Sequence, residues 1–229
     1  ALALDGVLYT SILNPKCGRK NWKDMITAFC WAFREKENVT LLIKVSAVDK
    51  ADYFNELHDY MARLQPFSCR IVIVHGFLPA ENYRKLMAFT DCYVNTSRAE
   101  GLCLPLMEFM ANGVPAIAPQ HTAMLDYVND SANFVVGSSP ELTVWPHDFN
   151  EKYTSTRQRI NWSELKGAYL ESYTQITERP EVLATKSLAA RKTIADIASV
   201  ARVKQQLSAF IDDINRDKQV SSGQRAVNL

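Results

Sequence analysis

Between Asn95 and Pro115 the chain reads Asn-Thr-Ser-Arg-Ala-Glu-Gly-Leu-Cys-Leu-Pro-Leu-Met-Glu-Phe-Met-Ala-Asn-Gly-Val-Pro. In order, these residues suit a strand end, a glycine-bearing turn and a helix start. Backbone N–H groups from Gly101 to Leu104 would lack intrahelical partners there, beside the positive end of a helix dipole. Such a turn accepts a phosphate. Glu100 precedes the helix, and Glu108 lies about one turn inside it, roughly 6 Å beyond Leu104 along the axis. Two carboxylates bracketing an anion site can accept hydrogen bonds from hydroxyls. A diphosphate with ribose on one side and a sugar on the other would satisfy that arrangement.

The elements that must position this segment follow from hydrophobic period and breakers. Val7–Leu13, Thr40–Val45, Arg70–Val74, Cys92–Asn95, Ala116–Ala118 and Phe134–Val136 read as strands. Helices are expected at Trp22–Glu35, Asp49–Leu64, Pro79–Phe89, Leu104–Ala111 and, briefly, Thr122–Val128. Trp22, Met25, Ile26, Phe29, Cys30 and Phe33 recur at spacings of three and four, an amphipathic pattern. Strands that are apolar on both faces and alternate with helices predict an α/β, doubly wound, Rossmann-like parallel sheet. Ligands of such sheets bind at the carboxyl ends of the strands.

The pattern changes after Ser138. We read 1–138 as the Rossmann-like domain, 139–216 as a helical extension packed on it, and 217–229 as a flexible tail. Residues 139–160 are polar and turn-rich, and helical stretches follow at Trp162–Ile176 and from Glu181 to about Asn215. In the second stretch Val200, Val203, Leu207, Phe210 and Ile214 form a narrow apolar stripe, expected to pack back on the same domain, with a coiled-coil seam for a partner as the alternative.

Composition excludes several classes. The 229 residues are 47% hydrophobic and 22% charged, which fits a globular chain and not a disordered one. With 26 basic and 25 acidic residues there is no overall field to attract nucleic acid. The longest apolar run is six residues, Ala28–Phe33, far short of the ~20 of a transmembrane helix. Five scattered cysteines without C-x-x-C argue against a disulfide framework or structural zinc and for a reducing compartment. His58, His121 and His147 share no pattern that would hold a metal. No signal-peptide pattern opens the chain. A first residue of Ala, followed within seven residues by a strand, suggests a fragment.

Glu100 and Glu108 have the E-x7-E spacing of family 4 retaining glycosyltransferases with the GT-B fold. The surrounding S-x-x-E-G-L-x-L-P-x-x-E-x-M-A-x-G-x-P resembles theirs too, with Ser97, Gly101, Pro105, Met110, Ala111, Gly113 and Pro115 in place. The resemblance extends more weakly over residues 7–137. It implies the donor-binding, C-terminal half of a GT-B enzyme that moves a sugar from a nucleoside diphosphate to a hydroxyl. An N-terminal, acceptor-binding half would be the missing partner, and without it this chain would transfer little or nothing.

By that resemblance Glu100 would contact donor-sugar hydroxyls and Glu108 the ribose. Backbone of Gly101, Leu102, Cys103 and Leu104 would hold the distal phosphate. The loop His75-Gly76-Phe77 would flank the base. Lys16, Arg19 and Lys20 sit where the family places cations, with Lys20 the closest match to its lysine. Fixed cations there would stabilise the negative charge of a departing diphosphate. No D-x-D motif is present, so no metal and no further cofactor are expected. The family implies a cytoplasmic chain, at most peripheral to the inner face of a membrane.

The chain also departs from the family. Pro15 stands where an arginine is common, Ser46-Ala47-Val48 replaces a glycine-rich turn, and Cys103 replaces a glycine, so its side chain is expected to narrow the phosphate approach. These changes keep a second reading open, a non-catalytic nucleotide-sugar-binding or interaction module. The nucleobase, sugar, acceptor and oligomeric state are not specified by the sequence.

Overall fold

The computed structural model describes residues 4–46, 51–145 and 147–223. Six strands form one parallel sheet: β1 (Val7–Leu13), β2 (Val39–Val45), β3 (Arg70–His75), β4 (Cys92–Val94), β5 (Ala116–Pro119) and β6 (Phe134–Val136). Their spatial order is β3-β2-β1-β4-β5-β6, with every pair parallel. The order reverses between β1 and β4, so the loops leaving these two strands flank the crevice of a doubly wound sheet.

Helices α1 (Trp22–Ala32), α2 (Ala51–Ala62), α3 (Ala80–Phe89) and α4 (Leu104–Ala111) connect the first five strands. The expected strands and helices are all present, with ends shifted by a few residues. The expected helix at Thr122–Val128 is a short 3-10 turn, Thr122–Asp126. The first residues of the helix expected from Asp49 lie outside the described residues.

Strand alternation divides the core in two. Tyr9, Phe29, Phe33, Leu41 and Ile43 belong to one apolar cluster, and Tyr93, Leu106, Phe109, Met110 and Met124 to the other. Helix α5 (Trp162–Glu178) completes the first cluster by packing on α1. Its Tyr169 is fully buried, with ring centroids 5.3 Å from Tyr9 and 5.5 Å from Phe29. Trp162 Nε1 donates to Thr27 Oγ1 at 2.8 Å. Helix α6 (Pro180–Ala198) closes the second cluster through Ala190 and Ile194 and packs on α4.

Two expectations for the extension need correction. Residues read only as polar and turn-rich contain an antiparallel hairpin, β7 (Ser138–Thr143) with β8 (Ser155–Ile160). Both of its strands are polar, so they carry no apolar alternation to betray them. They are fixed instead by contacts distant in sequence: Gln158 N donates to Arg98 O at 2.8 Å, and Arg157 Nε to Glu141 Oε1 at 2.7 Å.

The second correction concerns the last helix. The helix expected from Glu181 to Asn215 breaks at Ser199 into α6 and α7 (Val200–Gly223), and α7 packs mainly against α6. Its stripe does not return to the domain, since Val200, Val203, Leu207, Phe210 and Ile214 are all exposed. The tail expected from 217 begins inside this helix; residues 224–229 lie outside the described residues. Among the described residues no helix is long and apolar enough to cross a membrane.

Candidate functional site

The loop leaving β1 is shaped by its own sequence. Asn14 Oδ1 accepts the Lys16 N–H at 3.1 Å, and Trp22 Nε1 donates to the Pro15 carbonyl at 3.1 Å. Gly18–Lys20 then form a 3-10 turn, and Asn21 caps it in the left-handed region at φ 50°, which asparagine tolerates better than most residues. The end of β4 holds this turn from behind. The Thr96 hydroxyl, buried, lies 3.2 Å from Lys20 O and 3.0 Å from Asn21 O, and one proton is shared between them. Arg98 N donates to Arg19 O at 2.7 Å.

This bracing brings Arg19 and Lys20 onto Glu100. Arg19 Nη1 is 2.8 Å from Glu100 Oε2, and Lys20 Nζ is 2.5 Å from Oε1. Glu100 is only 4% exposed at its side chain. Burial pushes its pKa up, but Lys20, the Ser97 hydroxyl and Arg19 outweigh burial and hold the carboxyl below its usual range. In Arg19, burial opposes the charge and Glu100 more than restores it. The cluster therefore carries two cations on one anion, a net positive site at the switch point of the sheet.

The backbone of Glu100 is clamped as well. Its N–H donates to Thr122 Oγ1 at 3.1 Å, and its carbonyl accepts from Ala123 N at 3.4 Å. Thr122 sits at φ 49°, a conformation that costs a β-branched residue free energy. His121 lies next to it, buried, with Nδ1 3.1 Å from Thr122 Oγ1.

The turn before α4 is exposed at Gly101, Leu102 and Leu104. Tyr127 OH donates to Leu102 O at 2.6 Å, and no side chain caps the first turn of α4. Cys103 departs from expectation. At φ 58° it takes the left-handed conformation, and its side chain turns inward, where Asn95 Nδ2 lies 2.9 Å from Sγ. Burial first, then Glu100, pushes the thiol up to about 11. The side chain thus fills the core beneath the turn and does not narrow the approach from outside.

Glu108 is exposed on α4, with Oε2 accepting from Tyr83 OH at 2.5 Å. His75 ends β3 with Nδ1 2.5 Å from Tyr53 OH, and the two rings stack. Gly76 follows at φ 95°, where a side chain would be strained, and Phe77 is 89% exposed. Lys16 is exposed on the same loop, whereas Arg19 and Lys20 are the residues that pair with Glu100. Among the described residues no cluster of His, Cys, Asp or Glu could hold a metal ion.

Sequence reasoning missed Thr96, Thr122, Tyr127 and Tyr83. Thr96 lies inside the motif, but its partners are reached only by folding. Tyr83 is on a different helix from Glu108, and nothing in their spacing links them.

Comparison with known families decides the class to which these residues belong. Residues 5–148 match the family described as Glycosyl transferases group 1. The chain belongs to that family. No curated protein matches it. Several solved structures share its fold at low identity. HepE of Anabaena, solved in complex with UDP-glucose, is 16% identical with a TM-score of 0.63, over 91% of this chain and 49% of that one. A glycosyltransferase from Rickettsia africae is 13% identical with a TM-score of 0.67, over 92% and 48%. The C-terminal domain of the group 1 glycosyl transferase LpcC from Francisella tularensis is 14% identical with a TM-score of 0.57, over 86% and 89%. This group 1 glycosyl transferase chain therefore spans about half the length of the first two and has the fold expected for a GT-B C-terminal half.

Proposed function

We propose that the chain is the donor-binding half of a retaining group 1 glycosyl transferase, which takes a sugar from a nucleoside diphosphate and passes it to a hydroxyl acceptor held by another domain. The observation that carries this reading is the convergence of Arg19 and Lys20 on buried Glu100, beside the uncapped start of α4. Cations fixed at that point suit a diphosphate leaving group, because its negative charge grows as the glycosidic bond breaks. Glu100, kept ionised by its neighbours, accepts hydrogen bonds from donor-sugar hydroxyls. Glu108, aligned by Tyr83, accepts them from the ribose diol.

In this reading the backbone of Gly101–Leu104 holds the distal phosphate, and His75, Gly76 and Phe77 flank the base. Lys16 adds positive potential at the rim. The diphosphate charge is met by arginine and lysine, so the reaction as proposed uses neither metal nor cofactor. The acceptor half supplies the second wall of the cleft, and this chain by itself binds donor and turns over little. Its place would be the cytoplasm or the inner face of a membrane, where polysaccharide or glycolipid acceptors are assembled.

Calorimetric titration of the chain with UDP, GDP and ADP, repeated on Glu108→Ala, tests this. One nucleotide should bind, and the variant should weaken it at least tenfold, about 1.4 kcal/mol. Failure of all three to bind would reject the donor-binding reading of this chain.

A further inference from the structure

Beside the proposed ribose carboxylate the carboxyl ends of β1 and β2 and the first turn of α3 enclose a cleft of about 360 Å³. It is lined by Ile12, Lys44, Phe77, Leu78, Ala80 and Tyr83. Five of these present apolar or aromatic surface, and Lys44 alone carries charge. Its position on β2 is otherwise one for an aliphatic residue: Lys44 pairs in register with Ile12 on one side and Val74 on the other, within Val-Thr-Leu-Leu-Ile-Lys-Val.

Among the described residues the ammonium has one hydrogen-bond partner, Ser46 Oγ at 3.2 Å, and no carboxylate of theirs pairs with it. Burial draws its pKa down, which marks the ammonium as short of solvation. A half-buried cation left in that condition on an apolar wall is costly unless something else supplies acceptors.

Tyr83 connects the cleft to the rest of the site. Its hydroxyl is on Glu108 and its ring is a wall of the cleft, so a ribose held by Glu108 directs its base to the Tyr83 side. Phe77, almost wholly exposed, offers a ring face to that base. Lysine can only donate hydrogen bonds. The carbonyl oxygens of uracil and guanine accept them, whereas adenine presents an amino donor where guanine presents a carbonyl, and only its ring nitrogens accept.

We propose that Lys44 reads the nucleobase of the donor, and that it selects uridine or guanosine diphosphate over adenosine diphosphate. This rests on the donor-binding reading above and deepens it.

The test is competitive titration of UDP, GDP and ADP against wild type, Lys44→Met and Lys44→Arg. Methionine keeps the apolar stem and removes the donor; arginine keeps the donor and controls for folding. Wild type should bind UDP or GDP at least about tenfold more tightly than ADP. In Lys44→Met that ratio should fall to within about threefold through loss of the favoured nucleotide, with ADP affinity unchanged, and Lys44→Arg should preserve it. A Lys44→Met variant that weakens all three alike would assign Lys44 to the phosphates and overturn the proposal. An unchanged ratio, or a wild type without base preference, would overturn it as well, while leaving donor binding intact. Absence of any nucleotide binding to wild type would instead reject the donor reading and this inference with it.

Discussion

Lys20 Nζ lies 2.5 Å from Glu100 Oε1, and with Arg19 it ties the loop after β1 to the turn before α4. The contact is largely shielded from water, since the two side chains are 15% and 4% exposed. Removing one partner leaves the other charge poorly compensated, which costs more than the net strength of the pair.

Glu100→Gln should therefore destabilise the fold by roughly 1–3 kcal/mol at neutral pH, read from urea unfolding. The folded pKa of Glu100 lies below its ordinary value of 4.5, so its contribution is complete above that value. It is lost as pH falls through the lower, folded value. The gap between wild type and Glu100→Gln should thus be constant above pH 4.5 and close in more acidic solution. A gap that persists unchanged at the lowest pH would mean that the ion pair is not its source.

Tyr83→Phe should leave stability nearly unchanged, because the Glu108 carboxylate it releases is exposed to water. Nucleotide binding should nevertheless weaken by about three- to tenfold, since Glu108 loses the donor that orients it. Calorimetry alongside thermal melting separates the two effects. Unchanged affinity would detach Glu108 from ribose binding.

The parallel sheet was legible because each strand is apolar on both faces and each helix carries its own period, as Trp22 to Phe33 do for α1. The chemistry around Glu100 was legible because Glu100, the turn Gly101–Cys103, the start of α4 and Glu108 all lie in one contiguous stretch of sequence. What fixes that carboxylate was not. Thr96, Thr122 and Tyr83 come from separate elements, and no periodic signal reports a hydrogen bond across the crevice. The hairpin at 138–160 was hidden for a related reason. Its pairing is held by Arg98 and Glu141, charged residues that read as solvated in a sequence.

Helix α7 exposes its apolar stripe and makes its principal contacts with α6. Truncation after Ser199 should therefore leave the melting temperature of the remaining domain unchanged within error, because neither core cluster includes a residue beyond Ile197. A clear fall in the melting temperature would show that α7 contributes to the fold despite its exposure.

Gly113 ends α4 at φ +81°, and a Cβ built there would lie 2.3 Å from Arg191 Nε. The same arginine donates to Asn112 O at 3.0 Å and so docks α6 on the end of α4. Gly113→Ala incurs both the left-handed penalty and the displacement of Arg191, a cost of roughly 1–3 kcal/mol. Adding Arg191→Ala should recover only the steric part. Full recovery in the double variant would show that the backbone conformation costs alanine nothing here.

His121 is buried beside Thr122, and its Nε2 has no hydrogen-bond partner among the described residues. Burial draws its pKa below the ordinary 6.5, against the opposing pull of the Ser97 backbone, its own backbone and Glu100. The unfolded chain then takes up a proton at a higher pH than the folded one. The sign is fixed by that order: stability is full above pH 6.5 and declines as pH falls from there to the folded value. Asparagine at this position cannot titrate, so His121→Asn should abolish the decline between pH 6.5 and the carboxylate range. Urea midpoints measured from pH 8 downward decide the matter. If the variant declines as steeply as wild type, the proton is taken up elsewhere and His121 is not the group responsible.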